Sequence, residues 1–359
     1  MENKTGYIPY LDGCRALAIL FVVFSHVGLG KIIPGRFGVS LFFFLSGFLI
    51  TRLLLTEIKE KGGIQFLAFY LRRLFRLYPA LLAMILCSSI AAYLMKCSLQ
   101  TKDVFAALFY YTNYYIGWVR IPVENCGRLL DIFWSLSIEE HFYLVFPLII
   151  QLALKKQSDQ SIKNFIYLLI SLCIACLGMR TFTFFYYHGD LDFVSNRIYF
   201  SSHTRIDSII WGCLSAVLVF QQTSGKYFKF LQNKWVIASG VLALLLSFSY
   251  RNDFFRQTLF YSIQGYGIFI LVPLIGVHKN TMLKNLLAND WLIFIGKLSY
   301  SLYLFHWIAL KMSTQFFIEF SLNWQLLFWP LTIILSLSSY YLVEKPFMQL
   351  RKKFGSSLH

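Results

Sequence analysis

The chain has 359 residues, 57% of them hydrophobic and 19% aromatic, and only 14% charged. A soluble domain carries about a quarter charged residues, so this composition excludes a soluble globule and indicates an integral membrane protein. The net charge of +16 does not point to nucleic acid, because the cations fall between apolar runs, where they orient membrane spans.

Runs of about 20 residues, the length a bilayer requires, fall near 12–30, 37–55, 74–95, 132–154, 164–187, 206–221, 229–249, 258–277, 291–311 and 321–343. The expected fold is therefore all-α and polytopic, with about ten transmembrane helices. A weaker stretch at 103–118 is short and rich in Tyr and Asn. With a cytoplasmic N-terminus and 103–118 not crossing, the cytoplasmic loops hold Lys59, Lys61, Arg72 and Arg73, then Lys155, Lys156 and Lys163. Later ones hold Lys226, Lys229 and Lys234, then Lys279 and Lys284. Were 103–118 to cross, every later loop would invert and that lysine series would face outward. The charge rule thus predicts both termini inside and 103–118 as an interfacial or re-entrant piece. The first run lacks a cleavage site and reads as a span, not a leader. The tail ends shortly after the last span, so a single membrane domain over 1–359 is expected to carry the function.

In chain order, the first polar residues in an apolar run are Asp12, Arg15 and His26, within YIPYLDGCRALAILFVVFSHVGLG. An ionisable group in a span is costly and suggests a use. Arg15 and His26 are eleven positions apart, which on a helix is three turns plus about 20°, or roughly 16 Å along one face. A cation at one surface and a base deep in the span suit a long, anionic, thin-armed substrate. A packing histidine bonded to a neighbouring helix is the equal alternative. Gly38, Ser40, Ser46 and Gly47 in FGVSLFFFLSGFLI read as helix-packing positions. Arg73 and Arg76 share a helical face beside Arg72, a pattern suited to phosphate as well as to span orientation. WSLSIEEHFY brings Glu139 and Glu140 into a span, either to orient an imidazole or to pair with an outer cation such as Arg128. Further on, Arg205 and Asp207 are expected to pair or cap, His306 is a second intramembrane histidine, and Glu344 with Lys345 reads as a charge pair. Cys173 and Cys176 read as packing, and Cys97 and Cys126 can pair outside.

Taken in order, YIPYLDGCRALAIL, FGVSLFFFLSGFLIT, FYLRRLFRLYPALL, FWSLSIEEHFYLVFPL, TRIDSIIWG, GKLSYSLYLFHW and YYLVEKPF cover nearly the whole chain. Together they resemble the acyltransferase-3 family of bacterial membrane O-acyltransferases, in its standalone type without an appended SGNH esterase-like domain. Cys14 and His141 stand where that family more often has Leu and Gln. The resemblance implies transfer of an acyl group, usually acetyl from acetyl-CoA, to a carbohydrate hydroxyl at the bacterial cytoplasmic (inner) membrane. Implied acceptors are lipopolysaccharide O-antigen, peptidoglycan, exopolysaccharide or nodulation-factor sugars, free or lipid-linked; some members act on macrolides. The CoA head would sit on Arg15, Arg73 and Arg76. His26 would serve as general base or transient acyl acceptor, with Glu139 and then Glu140 as its partner, and with no metal. The rival reading is a multi-span transporter of a lipid-linked sugar or small solute.

Overall fold

In a computed structural model the chain is predominantly helical over its described residues, which are 7–119, 128–156, 158–187, 189–220, 225–277 and 281–351. The helices, in order, begin with α1 (Pro9–Phe24), which passes into a wider π-type turn at Ser25–Leu29. Then come α2 (Gly35–Lys61), α3 (Phe66–Leu94), and the short α4 (Thr101–Leu108) and α5 (Thr112–Trp118). α6 (Phe133–Ala153), α7 (Asp159–Tyr186), α8 (Leu191–Phe200), α9 (Ser202–Arg205) and α10 (Asp207–Phe220) follow. Next are α11 (Lys226–Gln232), α12 (Lys234–Ser249), α13 (Asp253–Gln257), α14 (Leu259–Val277) and α15 (Met282–Leu287). The chain closes with α16 (Asp290–Phe316), α17 (Leu322–Ser338), a second π-type turn at Ser339–Glu344, and α18 (Lys345–Arg351).

Among the described residues, eight helices are long and apolar enough to cross a bilayer. Two of the expected spans take other forms. The run at 229–249 is the bent pair α11 and α12, with an angle of 66° at Asn233. The run at 206–221 is α10, whose 14 residues rise about 21 Å, less than the roughly 30 Å of hydrocarbon. The stretch 103–118 forms α4 and α5, of 8 and 7 residues, separated at Tyr110, whose φ of 53° lies in the left-handed region that a helix cannot continue through. Neither piece has the length of a span, in keeping with an interfacial or re-entrant role.

Contacts divide the chain into two compact units, Met1–Gly38 with Gln65–Ser137 and Ala288–His359, and Val39–Ile64 with Ile138–Leu287. In the first, α1 lies against α16 so closely that a Cβ on Gly296 would stand 2.0 Å from the backbone oxygen of Asp12. The second unit has the same device between α2 and α10, where Cβ atoms on Gly47 and Gly212 would meet backbone oxygens of Ile209 and Phe44, each at 2.0 Å. Small residues at crossings are what membrane helices need, since van der Waals packing drives their association. The polar heart of the second unit is Arg180, fully buried, which donates to Asp207 at 2.7 Å, to Ser262 at 2.5 Å, and to the carbonyls of Thr204 and Thr258.

Candidate active site

His26 sits where α1 stops being regular. Backbone angles stay helical as far as Ser25 and depart at Val27 (φ −99°, ψ 29°) and Gly28 (φ 95°, ψ −8°). The chain turns away directly after the imidazole. Gly28 is required there twice over: its φ is left-handed, and a Cβ would come within 3.2 Å of the Phe320 ring. Extra turns of this kind recur at functional sites.

The imidazole of His26 meets a second one. Its Nδ1 lies 3.2 Å from Nε2 of His306, the two rings stacked with centroids 5.3 Å apart. Nδ1 of His306 lies 2.9 Å from the carbonyl oxygen of Leu302 one turn earlier in α16. His306 is fully buried, whereas His26 is half-buried. Among the described residues Nε2 of His26 has no hydrogen-bond partner in the chain. Trp307 presents its ring to His26 at 5.6 Å and donates its indole N–H to the carbonyl of Arg128 at 3.0 Å. Lys311 places its ammonium 4.6 Å above that indole. Arg128 is 3.9 Å from Asp131. Burial pushes the Asp131 carboxyl up to about 7, against the pull of Arg128 and Lys311.

At the other end of α1 lies a belt of arginines. Arg15 is 3.5 Å from Asp12, whose second oxygen accepts from the Tyr7 hydroxyl at 2.6 Å. On α3, Arg72 is buried while Arg73 and Arg76 are half-buried, with the Arg73 guanidinium 5.6 Å over the Phe69 ring. Arg76 interacts electrostatically with Glu344, which accepts a hydrogen bond from Ser301. Tyr340 feels both Glu344 and Asp12. The Tyr300 hydroxyl, donating to the Leu77 carbonyl at 3.0 Å, ties α16 to α3. Arg15 and Arg76 thus belong to one polar neighbourhood with Asp12 and Glu344. Guanidinium groups of this kind are suited to phosphate.

Glu139 and Glu140 lie in the second unit. Glu139 accepts from the Tyr143 hydroxyl at 3.0 Å, and that hydroxyl is 2.8 Å from Ser46. Ser46 therefore belongs to a polar chain as well as to a packing face. Glu140 is half-buried on the next position, and His141 bonds Ser202 at 2.7 Å.

Two expected pairings are replaced. Asp207 is bound by Arg180, not Arg205, because side chains two apart on a helical segment point to nearly opposite sides. The Arg205 guanidinium instead stacks 3.7 Å from the Tyr261 ring. Glu344 turns inward to Ser301 and away from Lys345, since consecutive helical positions diverge by about 100°. Cys97 is disulfide-bonded, and Cys126, its expected partner, lies outside the described residues. The functional candidate that sequence reasoning left without a role is His306; its signal was an imidazole placed well inside an apolar run.

Comparison with known proteins gives a consistent class. The family profile described as an acyltransferase domain, of the acyltransferase-3 type, matches residues 8–343. A Staphylococcus aureus (strain COL) protein with a provisional O-acetyltransferase name is 32% identical over 358 residues, covering 96% of this chain and 58% of that protein. O-acetyltransferase OatA of Staphylococcus aureus (strain NCTC 8325 / PS 47) is 32% identical over 327 residues, covering 87% of this chain and 52% of OatA. The chain thus spans about half the length of the curated relatives it matches. No solved structure matches.

Proposed function

Since the chain belongs to the acyltransferase-3 family, we propose that it is a membrane O-acyltransferase moving an acetyl group from acetyl-CoA to a hydroxyl of a cell-envelope carbohydrate. In this reading it is a multi-pass protein of the bacterial cytoplasmic membrane with both termini on the cytoplasmic side. The observation that carries the proposal is one continuous stretch, α1 and the π-type turn after it, that holds Arg15 of the arginine belt and, further on, the His26 imidazole with an open nitrogen. That separation is about 16 Å along the helix. Coenzyme A has matching ends, a phosphate-rich head for Arg15, Arg73 and Arg76 and a thin arm that carries the thioester toward His26. The relatives named O-acetyltransferases support an acetyl donor and an oxygen acceptor. The flat face of Trp307 beside His26 offers a surface on which a sugar ring can lie.

The chemistry needs one base. His26 removes the hydroxyl proton, the oxygen attacks the thioester carbonyl, the C–S bond breaks, and the departing thiolate takes the proton back. Proton transfer of this kind contributes about 10²–10⁴-fold, so positioning by the belt supplies much of the rest.

Mass spectrometry of envelope glycans from cells with and without the protein tests this reading. An acetyl increment present only with the wild-type chain, and lost with His26→Ala while CoA binding survives, is the expected result. Arg73→Ala or Arg76→Ala should weaken CoA binding first. Wild-type acetylation by His26→Ala would remove the base from the mechanism, and glycans unchanged by the protein would remove the carbohydrate acceptor.

A further inference from the structure

Resting on the reading of His26 as the base, we propose that His306 is a positioning residue that fixes the tautomer of His26, leaving Nε2 as the nitrogen that takes the hydroxyl proton. The argument is an accounting of hydrogens. A backbone carbonyl only accepts, so the contact of His306 Nδ1 with the Leu302 oxygen at 2.9 Å requires the proton on Nδ1. A neutral imidazole has one N–H, so Nε2 of His306 is bare. At 3.2 Å from it, Nδ1 of His26 must then be the donor, which leaves Nε2 of His26 with its lone pair and no partner among the described residues.

A doubly protonated His306 would escape this chain of reasoning. It would be a cation at a fully buried position, and among the described residues no carboxylate is paired with it. Such a charge is strongly disfavoured. The charged and titratable groups around the pair are Lys311, close enough to act on His26, and Asp131, Glu319 and Arg128, which act in turn on Lys311.

His306 is itself held. Its ring lies 6.0 Å from that of Tyr303, whose hydroxyl is 2.5 Å from Ser135, and 6.5 Å from that of Trp307. The Gly296 contact with the backbone of Asp12 sets α16 against α1. Elsewhere a carboxylate often orients a catalytic imidazole and stabilises the imidazolium. A neutral acceptor orients it equally well and adds no second buried charge. On proton uptake the imidazolium keeps its Nδ1–H directed at His306, and Nε2–H faces the thiolate that must receive the proton.

The test compares His306→Gln, whose amide oxygen can replace the acceptor at the same reach, with His306→Leu, which fills the space without one. Acetyl transfer from acetyl-CoA to envelope glycan is measured with each, together with CoA binding and the ¹⁵N spectrum of histidine-labelled protein in bilayers. The His26 signals are identified by their loss in His26→Ala. The expected result is transfer within about tenfold of wild type for His306→Gln and a fall of about 10²-fold or more for His306→Leu, with CoA binding within twofold for both. The wild-type spectrum should show His26 protonated at Nδ1 and bare at Nε2. Transfer by His306→Leu equal to that of His306→Gln, or a wild-type His26 protonated at Nε2, overturns the proposal. Should the Leu variant fail to fold, the wild-type spectrum decides alone. Loss of activity in His26→Ala separates this outcome from failure of the base assignment itself.

Discussion

At the scale of single residues, the groups that stand out are those a membrane makes expensive. Arg15, His26, Arg73, Arg76, Glu139 and Glu140 were legible in the sequence for that reason, since an ionisable group in an apolar run is retained only for use or pairing. Which groups meet was not legible. His26 and His306 are separated by 280 positions, and no periodicity along one helix encodes a partner on another. Gly28 was equally silent, because only backbone angles show its left-handed turn. Gly28→Ala should cost about 1–3 kcal/mol of stability through that strain and the Phe320 contact, visible as a lowered melting temperature in detergent. It should also lower transfer by moving the imidazole. Asp131 provides a pH signature. Its carboxyl rises from 3.8 to about 7 in the fold, so it favours the folded state while protonated. That contribution is complete below about pH 4 and is lost as pH rises through about 7. Asp131→Asn should flatten the fall in melting temperature across that window; an unchanged slope would show that another group is responsible.

At the scale of elements, span positions were readable because hydrophobic length is dictated by the bilayer. Their ends were not. α3 begins at Phe66, ahead of the apolar run expected from residue 74, because the helix continues through the Arg72 and Arg73 turn that hydropathy alone leaves out of a span. α10 is short because it is an interior helix, with ten of its residues buried from Asp207 to Val217, and an interior helix has no bilayer width to match. Gly38 and Gly47 of α2 were correctly read as packing positions, whereas Ser40 and Ser46 also make side-chain hydrogen bonds. Gly212→Leu must force α10 away from the Phe44 carbonyl of α2, against which a Cβ already stands at 2.0 Å. We expect a loss of at least about 1–3 kcal/mol, measured as reduced thermal stability and reduced accumulation in membranes. Gly178→Leu, with open space around its Cβ position, is the matched control and should change neither.

At the scale of the whole molecule, composition gave the membrane class, the length of the apolar runs gave the all-α fold, and seven ordered motifs gave the family. The division into two units interleaved along the chain was invisible, because unit membership is a property of contacts between distant segments. The arginine belt gives a prediction at this scale. Arg15, Arg73 and Arg76 are the guanidiniums proposed to hold the phosphates, so CoA affinity should fall several-fold between about 0.05 and 0.5 M salt as charges are screened. Titration by calorimetry should show the same slope in His26→Ala, whose change lies outside the belt. A salt-independent affinity would mean that phosphates are bound elsewhere.

The Arg180–Asp207 bond bears on how the nascent chain enters its lipid. Asp207 follows Arg180 by 27 residues, so the ribosome delivers the guanidinium before the carboxylate that neutralises it exists. A lone arginine costs up to about 2.5–3.5 kcal/mol on translocon insertion scales, the full cost applying at a helix centre, and Arg180 lies in the C-terminal half of α7. α7 therefore has a reason to linger at the translocon until α10 emerges, and the two helices leave it as a neutral pair rather than one after the other.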